Sequence, residues 1–60
     1  SHRETEVLRL IVSHYETVEI ADQSHLSKHT VDNHRRNIQI KTNTHSIAEL
    51  VDFWHINKMK

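Results

Sequence analysis

Apolar residues in this chain recur at helical rather than strand spacing, and four stretches carry the pattern. In the first, about residues 2–13, Val7, Leu8, Leu10 and Ile11 follow a start at Ser1 and Glu4 that matches the S-x-x-E capping box. The second, about 16–23, is short: Ile20 and Ala21 form its buried side, Val18 is partly exposed, and Glu19 sits where the helix dipole favours negative charge. The third runs from about 28 to 41 behind Ser27, a good N-cap. There Val31, His34 and Ile38 recur at i, i+3 and i+7 and make a narrow core-facing stripe, which predicts His34 to be buried and hydrogen-bonded. The fourth, about 47–57, opens with a second S-x-x-E box at Ser46 and Glu49. Its apolar members are Ala48, Leu50, Val51, Phe53 and Trp54, the last expected in the core, and Lys58 and Lys60 suit its C-terminal end.

The connections are short and unusual. The chain has no Gly and no Pro, where average usage would place about seven in this length. β-Hairpins draw on such residues for their turns, so the pattern predicts an all-α fold, a compact four-helix bundle with short connections. Left-handed turn positions then fall to other residues, His14 at the first break and Asn43 after the third helix. Only Ser24, His25 and Leu26 separate the second helix from Ser27. A connection that brief forces two helices into steeply crossed contact, a helix-turn-helix, with Leu26 plugging the turn into the core.

Sixty residues make one domain. A chain of this size buries only about 60% of its unfolded surface, which leaves no room for a deep catalytic pocket. The absence of cysteine excludes disulfides, thiol catalysis and Cys-based zinc sites. No apolar run approaches the ~18 residues of a membrane span, and no signal peptide is visible. The chain starts at Ser1 rather than Met, so a fragment or a processed product is expected, with room for a regulatory domain in the remainder. Formal net charge is zero, but the distribution is uneven. Residues 1–24 carry two basic and five acidic side chains, net −3, and residues 25–60 carry six basic and three acidic, net +3. That asymmetry suits one face for an anion and one for solvent or a basic partner.

Behind its apolar stripe the third helix presents Lys28, His29, Thr30, Asp32, Asn33, Arg35, Arg36 and Gln39, all with hydrogen-bonding groups. Arg, Asn and Lys are the side chains that read base edges and phosphates. The plainer reading of the same face is a solvated helix surface.

In order along the chain, RETEVLRLI at 3–11, EIA at 19–21, LSKHTVDNHRRNI at 26–38 and ELV at 49–51 resemble the LuxR-type (GerE/NarL) helix-turn-helix domain. The most specific part is Ser27, Thr30, Val31 and His34, followed by Ile38 and Lys41. The resemblance implies the double-stranded-DNA-binding output domain of a cytoplasmic bacterial transcription regulator, with the third helix in the major groove. It implies an N-terminal receiver or ligand-binding domain in the full chain, and a homodimer paired through the fourth helix, for which Ile47, Phe53 and Trp54 are the candidates. It also implies base contacts from Asp32, Asn33 and Arg36. Arg36 suits guanine and Asn33 suits adenine, while Asp32 either accepts from cytosine or orients Arg36. Phosphate candidates are Thr17, Ser27, Lys28, His29, Thr30, Arg35 and Lys41, with Thr30 also suited to supporting the helix start. The family usually has Gly where His14 and Asn43 stand, Leu at Ser24 and Thr42, and a basic residue at Val18 and Ile47. These departures are expected to thin the core and weaken phosphate binding.

Seven histidines invite a metal site, but the spacing of His25, His29 and His34 does not gather them, and no acidic or Cys ligands accompany them. No metal, no cofactor and no catalytic constellation is expected. His25, His29 and His45 flank the phosphate candidates. Imidazoles ordinarily titrate near ~6.5, so acidification from about pH 8 to 6 is expected to strengthen generic attraction to DNA. Two rivals remain: a protein-interaction module on the same fold, and a domain like region 4 of a sigma factor.

Overall fold

The computed structural model describes residues 2–58, with side-chain surroundings for residues 2–57. The cap assigned to Ser1 and the residue Lys60 expected at the end of the fourth helix lie outside the described residues, as does the side chain of Lys58. Four helices follow one another: α1 His2–Val12, α2 Thr17–Ser24, α3 Lys28–Thr42 and α4 Ile47–Lys58. They agree with the hydrophobic spacing to within a residue at each end. α1 and α3 form the centre, each packed on the other and on both remaining helices, while α2 and α4 flank them.

The starts of α2, α3 and α4 follow from their local residues. Ser27 Oγ accepts the Thr30 amide at 3.1 Å and lies 2.9 Å from the Thr30 hydroxyl, so Thr30 does support the start of α3. At α2 the Glu19 carboxylate accepts the backbone N–H of Glu16 at 2.9 Å. At α4 the Glu49 amide donates to Ser46 Oγ at 3.1 Å, and the Glu49 carboxylate takes the amide of His45 rather than that of Ser46.

The first three helices all end the same way. His14, His25 and Asn43 adopt left-handed conformations with φ of 68°, 56° and 55°. The residue after each donates back five positions: Tyr15 to Leu10 at 3.2 Å, Leu26 to Ala21 at 2.9 Å and Thr44 to Gln39 at 3.0 Å. These bonds satisfy carbonyls that a helix end leaves open. His14 and Asn43 are where the missing glycines predicted them. His25 is a third such residue that spacing alone did not single out.

The core is Val7 and Ile11 from α1, Ile20 and Ala21 from α2, Val31 and Ile38 from α3, and Leu50 from α4, with Leu8, Leu10, Val12 and Leu26 packed against it. Two expectations need correction. His34 is only half-buried, and its Nδ1 finds no hydrogen-bond partner among the described residues. Trp54 is half-buried beside an open hollow shared with His2, Thr5, Glu6 and Arg9, not in the core. Ala48 is exposed, which leaves Leu50 as the fully buried apolar anchor of α4.

Polar residues do fill positions suited to Leu. Ser24 is 1% exposed, with no partner for its hydroxyl among the described residues. Thr42 lies half-buried, its hydroxyl donating to the Ile38 carbonyl at 2.8 Å and lying 3.0 Å from that of the buried Thr44. An orphaned buried hydroxyl costs about 1–3 kcal/mol. Ser24→Ala, which removes it with little change in volume, is therefore expected to stabilise the domain by about 1 kcal/mol. Urea unfolding of the two proteins measures the difference.

Long-range polar ties hold α1 to its neighbours. Arg3 Nη1 donates to the Ser24 carbonyl at the end of α2, at 3.0 Å. Lys41 Nζ, near the end of α3, lies 2.7 Å from Glu4 Oε1. That bond holds the Glu4 carboxyl below the usual carboxylate range. A depressed carboxylate contributes stability above its unfolded pKa and loses it as pH falls through the lower folded value. Glu4→Gln is therefore expected to flatten the decline in stability below about pH 4.5, a comparison made by denaturant melts of both proteins across acid pH.

Candidate nucleic-acid interface

The polar side of α3 stands clear of the core because Val31 and Ile38 turn the opposite side inward. Asp32, Asn33 and Arg36 are all exposed. At i, i+1 and i+4 they share one outward face. No side-chain hydrogen bond or ion pair within the described residues engages any of the three. Asp32 therefore does not orient Arg36 in this conformation, and both groups are free to meet a ligand. Lys28 and His29, in the first turn, are likewise exposed, and so are His25 and His45 in the flanking loops; among the described residues none of these four side chains is engaged.

The remaining phosphate candidates are tied into the scaffold. Arg35 is half-buried, and its Nη1 donates to Thr17 Oγ1 at 3.1 Å. Read separately from the sequence, the two form one polar bridge that fixes the first turn of α2 against the middle of α3. The bridge orients the guanidinium and occupies one of its several donors. Lys41 keeps 62% of its side chain exposed although its ammonium is held by Glu4. Ser27 and Thr30 face each other at the helix start. Among the described residues α3 thus presents an unengaged polar face at Asp32, Asn33 and Arg36, while Arg35 and Lys41 are tied to the scaffold.

An open groove of about 450 Å³ lies between the starts of α2 and α4, lined in part by Tyr15, Thr17, Val18, Arg35 and Ile47. Val18 is 58% and Ile47 43% exposed, so two positions expected to lack positive charge are apolar surface here. α4 adds exposed Ile56 and half-buried Phe53 and Trp54. Among the described residues no cluster of three or more His, Cys, Asp or Glu is placed to hold a metal ion. No helix among them is long and apolar enough to cross a membrane.

Ile40 escaped the sequence reading. It is the one apolar residue exposed on the polar side of α3, and the signal was its place one turn beyond Arg36.

Comparison with known proteins agrees with this architecture. The chain is 47% identical over 53 residues to the Fimbriae Z protein of Escherichia coli K12, and 43% identical over 53 residues to the Fimbriae Z protein of Salmonella typhimurium LT2. Each match covers 88% of this chain and 25% of the relative. It is 43% identical over 51 residues to the uncharacterized response regulatory protein YgeK of Escherichia coli K12, covering 85% of this chain and 35% of that protein. The chain therefore spans about a quarter to a third of the length of these curated relatives. No solved structure gives a significant match. The model of bacterial regulatory proteins of the luxR family matches residues 1–54, nearly the whole chain, and with the helix order and turn geometry above it places the protein: this chain belongs to the luxR family of bacterial regulatory proteins.

Proposed function

We propose that this chain is the sequence-specific, double-stranded-DNA-binding output domain of a transcription regulator, with α3 entering the major groove. The observation that carries the reading is the exposed, unengaged face of Asp32, Asn33 and Arg36 on a Ser27-capped helix, inside a chain of the luxR family. A major groove about 12 Å wide admits one helix, and these side-chain types hydrogen-bond base edges there. Lys28, His29, Thr17, Ser27, Thr30, Arg35 and Lys41 set the orientation on the backbone, Lys41 by exchanging Glu4 for a phosphate or sharing its protons between the two.

In the full protein the domain follows an N-terminal receiver, in keeping with its likeness to a response regulatory protein. It acts in the cytoplasm as a homodimer on DNA. Ile47, Phe53 and Trp54, with exposed Ile56, give α4 the apolar surface for self-pairing.

A protein partner on the same fold is the second reading. The groove at Tyr15, Val18 and Ile47 favours it, because these side chains offer phosphates no charge.

Selection from a random duplex library decides between the two. DNA reading predicts one recovered motif, arranged as a two-fold repeat if α4 pairs two domains. Failure to enrich any sequence would favour the protein-binding reading.

A further inference from the structure

We propose that Ile40 is a specificity-determining residue of α3 that reads the C5-methyl group of a thymine. The inference rests on the DNA-reading function above and adds a contact of a different chemical kind. Ile40 is 70% exposed, the highest value among the exposed large apolar side chains of the described residues. It contributes nothing to the core, where α3 is represented by Val31 and Ile38.

Its place on the helix is what gives it a use. Ile40 follows Asn33 by seven residues and Arg36 by four, so it lies within about 20° of Asn33 around the axis and one turn beyond Arg36. Along the axis, Asn33 to Ile40 spans about 10 Å, equivalent to about three base-pair steps. Asn33, Arg36 and Ile40 thus make one continuous stripe. The surroundings of Ile40 are polar: it lines an open hollow of about 470 Å³ with Arg36, Gln39, Asn43, Thr44 and His45. A large aliphatic group set among hydrogen-bonding side chains matches what the major groove presents, polar base edges with a single apolar feature, the thymine methyl. Asn33 and Arg36 supply hydrogen bonds to purine edges. Ile40 separates thymine from cytosine by a contact that cytosine lacks.

The test starts from the duplex that the wild-type domain enriches from a random library. Each thymine is replaced in turn by deoxyuridine, which keeps every hydrogen-bonding group and lacks only the methyl. Both wild type and Ile40→Ala are titrated against the series, with circular dichroism confirming that the variant stays folded. One deoxyuridine is expected to weaken wild-type binding about three- to tenfold and to leave Ile40→Ala indifferent. The proposal is overturned if no deoxyuridine weakens the wild type, if the enriched motif holds no fixed thymine, or if the sensitive position is equally sensitive in Ile40→Ala. Each of those results leaves DNA reading by Asn33 and Arg36 standing. A domain that enriches no sequence at all overturns the DNA-reading function, and this contact with it.

Discussion

Replacing Arg36 with Ala is expected to weaken binding to the selected duplex by about 1–3 kcal/mol, roughly five- to 150-fold, and to abolish preference at one base pair. Arg36 is exposed, outside the core and without a side-chain partner among the described residues, so the variant keeps its fold. The loss then reports contacts with DNA alone. Two donors of a planar guanidinium reach guanine O6 and N7 together, a geometry that Lys cannot reproduce. Arg36→Lys is therefore expected to restore generic affinity but not the base preference. Repeating the selection with each variant checks both statements. Unchanged preference after Arg36→Ala would remove Arg36 from the reading face.

The double substitution His14→Gly and His25→Gly is expected to stabilise the domain more than any surface change. Both histidines hold left-handed backbone, with φ of 68° and 56°, where a Cβ sits too close to the following carbonyl. That clash costs about 1–2 kcal/mol at each site, and glycine removes it. Glycine also gives the unfolded chain more freedom, which offsets roughly 0.5–1 kcal/mol per site. The net gain is about 1–2 kcal/mol for the pair, or about 4–16 °C in Tm for a domain of this size. Asn43→Gly is expected to gain less, because asparagine tolerates the left-handed region better than histidine. A thermal melt of the double variant reads the result directly. A Tm at or below that of the wild type would show that the histidine side chains make compensating contacts.

The four helices were legible because their evidence is local. Apolar spacing located α1 through α4, and Ser27, Ser46 and Glu49 marked two of the starts. The absence of glycine pointed to His14 and Asn43 as left-handed ends. His25 was not foreseen, because a three-residue connection does not reveal which of its members takes the positive φ. His34 was expected to be buried and hydrogen-bonded, since its spacing matches Val31 and Ile38. Spacing gives a direction around the axis, however, and not the depth of cover, which here depends on the neighbouring helices. Trp54 failed for the same reason.

In the candidate site, the outward face at Asp32, Asn33 and Arg36 was readable from residue type and period. The ties from Arg35 to Thr17 and from Lys41 to Glu4 join residues 18 and 37 positions apart. No local pattern contains such contacts. They matter because they decide which cations are held by the scaffold and which, like Lys28, are unengaged.

The central claim is that α3 binds duplex DNA through this face, and a salt titration of duplex binding tests it most directly. Each phosphate neutralised releases condensed counterions and contributes about −0.9 to the slope of log K against log salt. Lys28, Arg35 and Lys41 on three phosphates predict a slope of about −2.7 per domain, and Lys28→Ala is expected to reduce it by about one. Binding that does not change between low and high salt, or no binding even at low salt, would contradict the account.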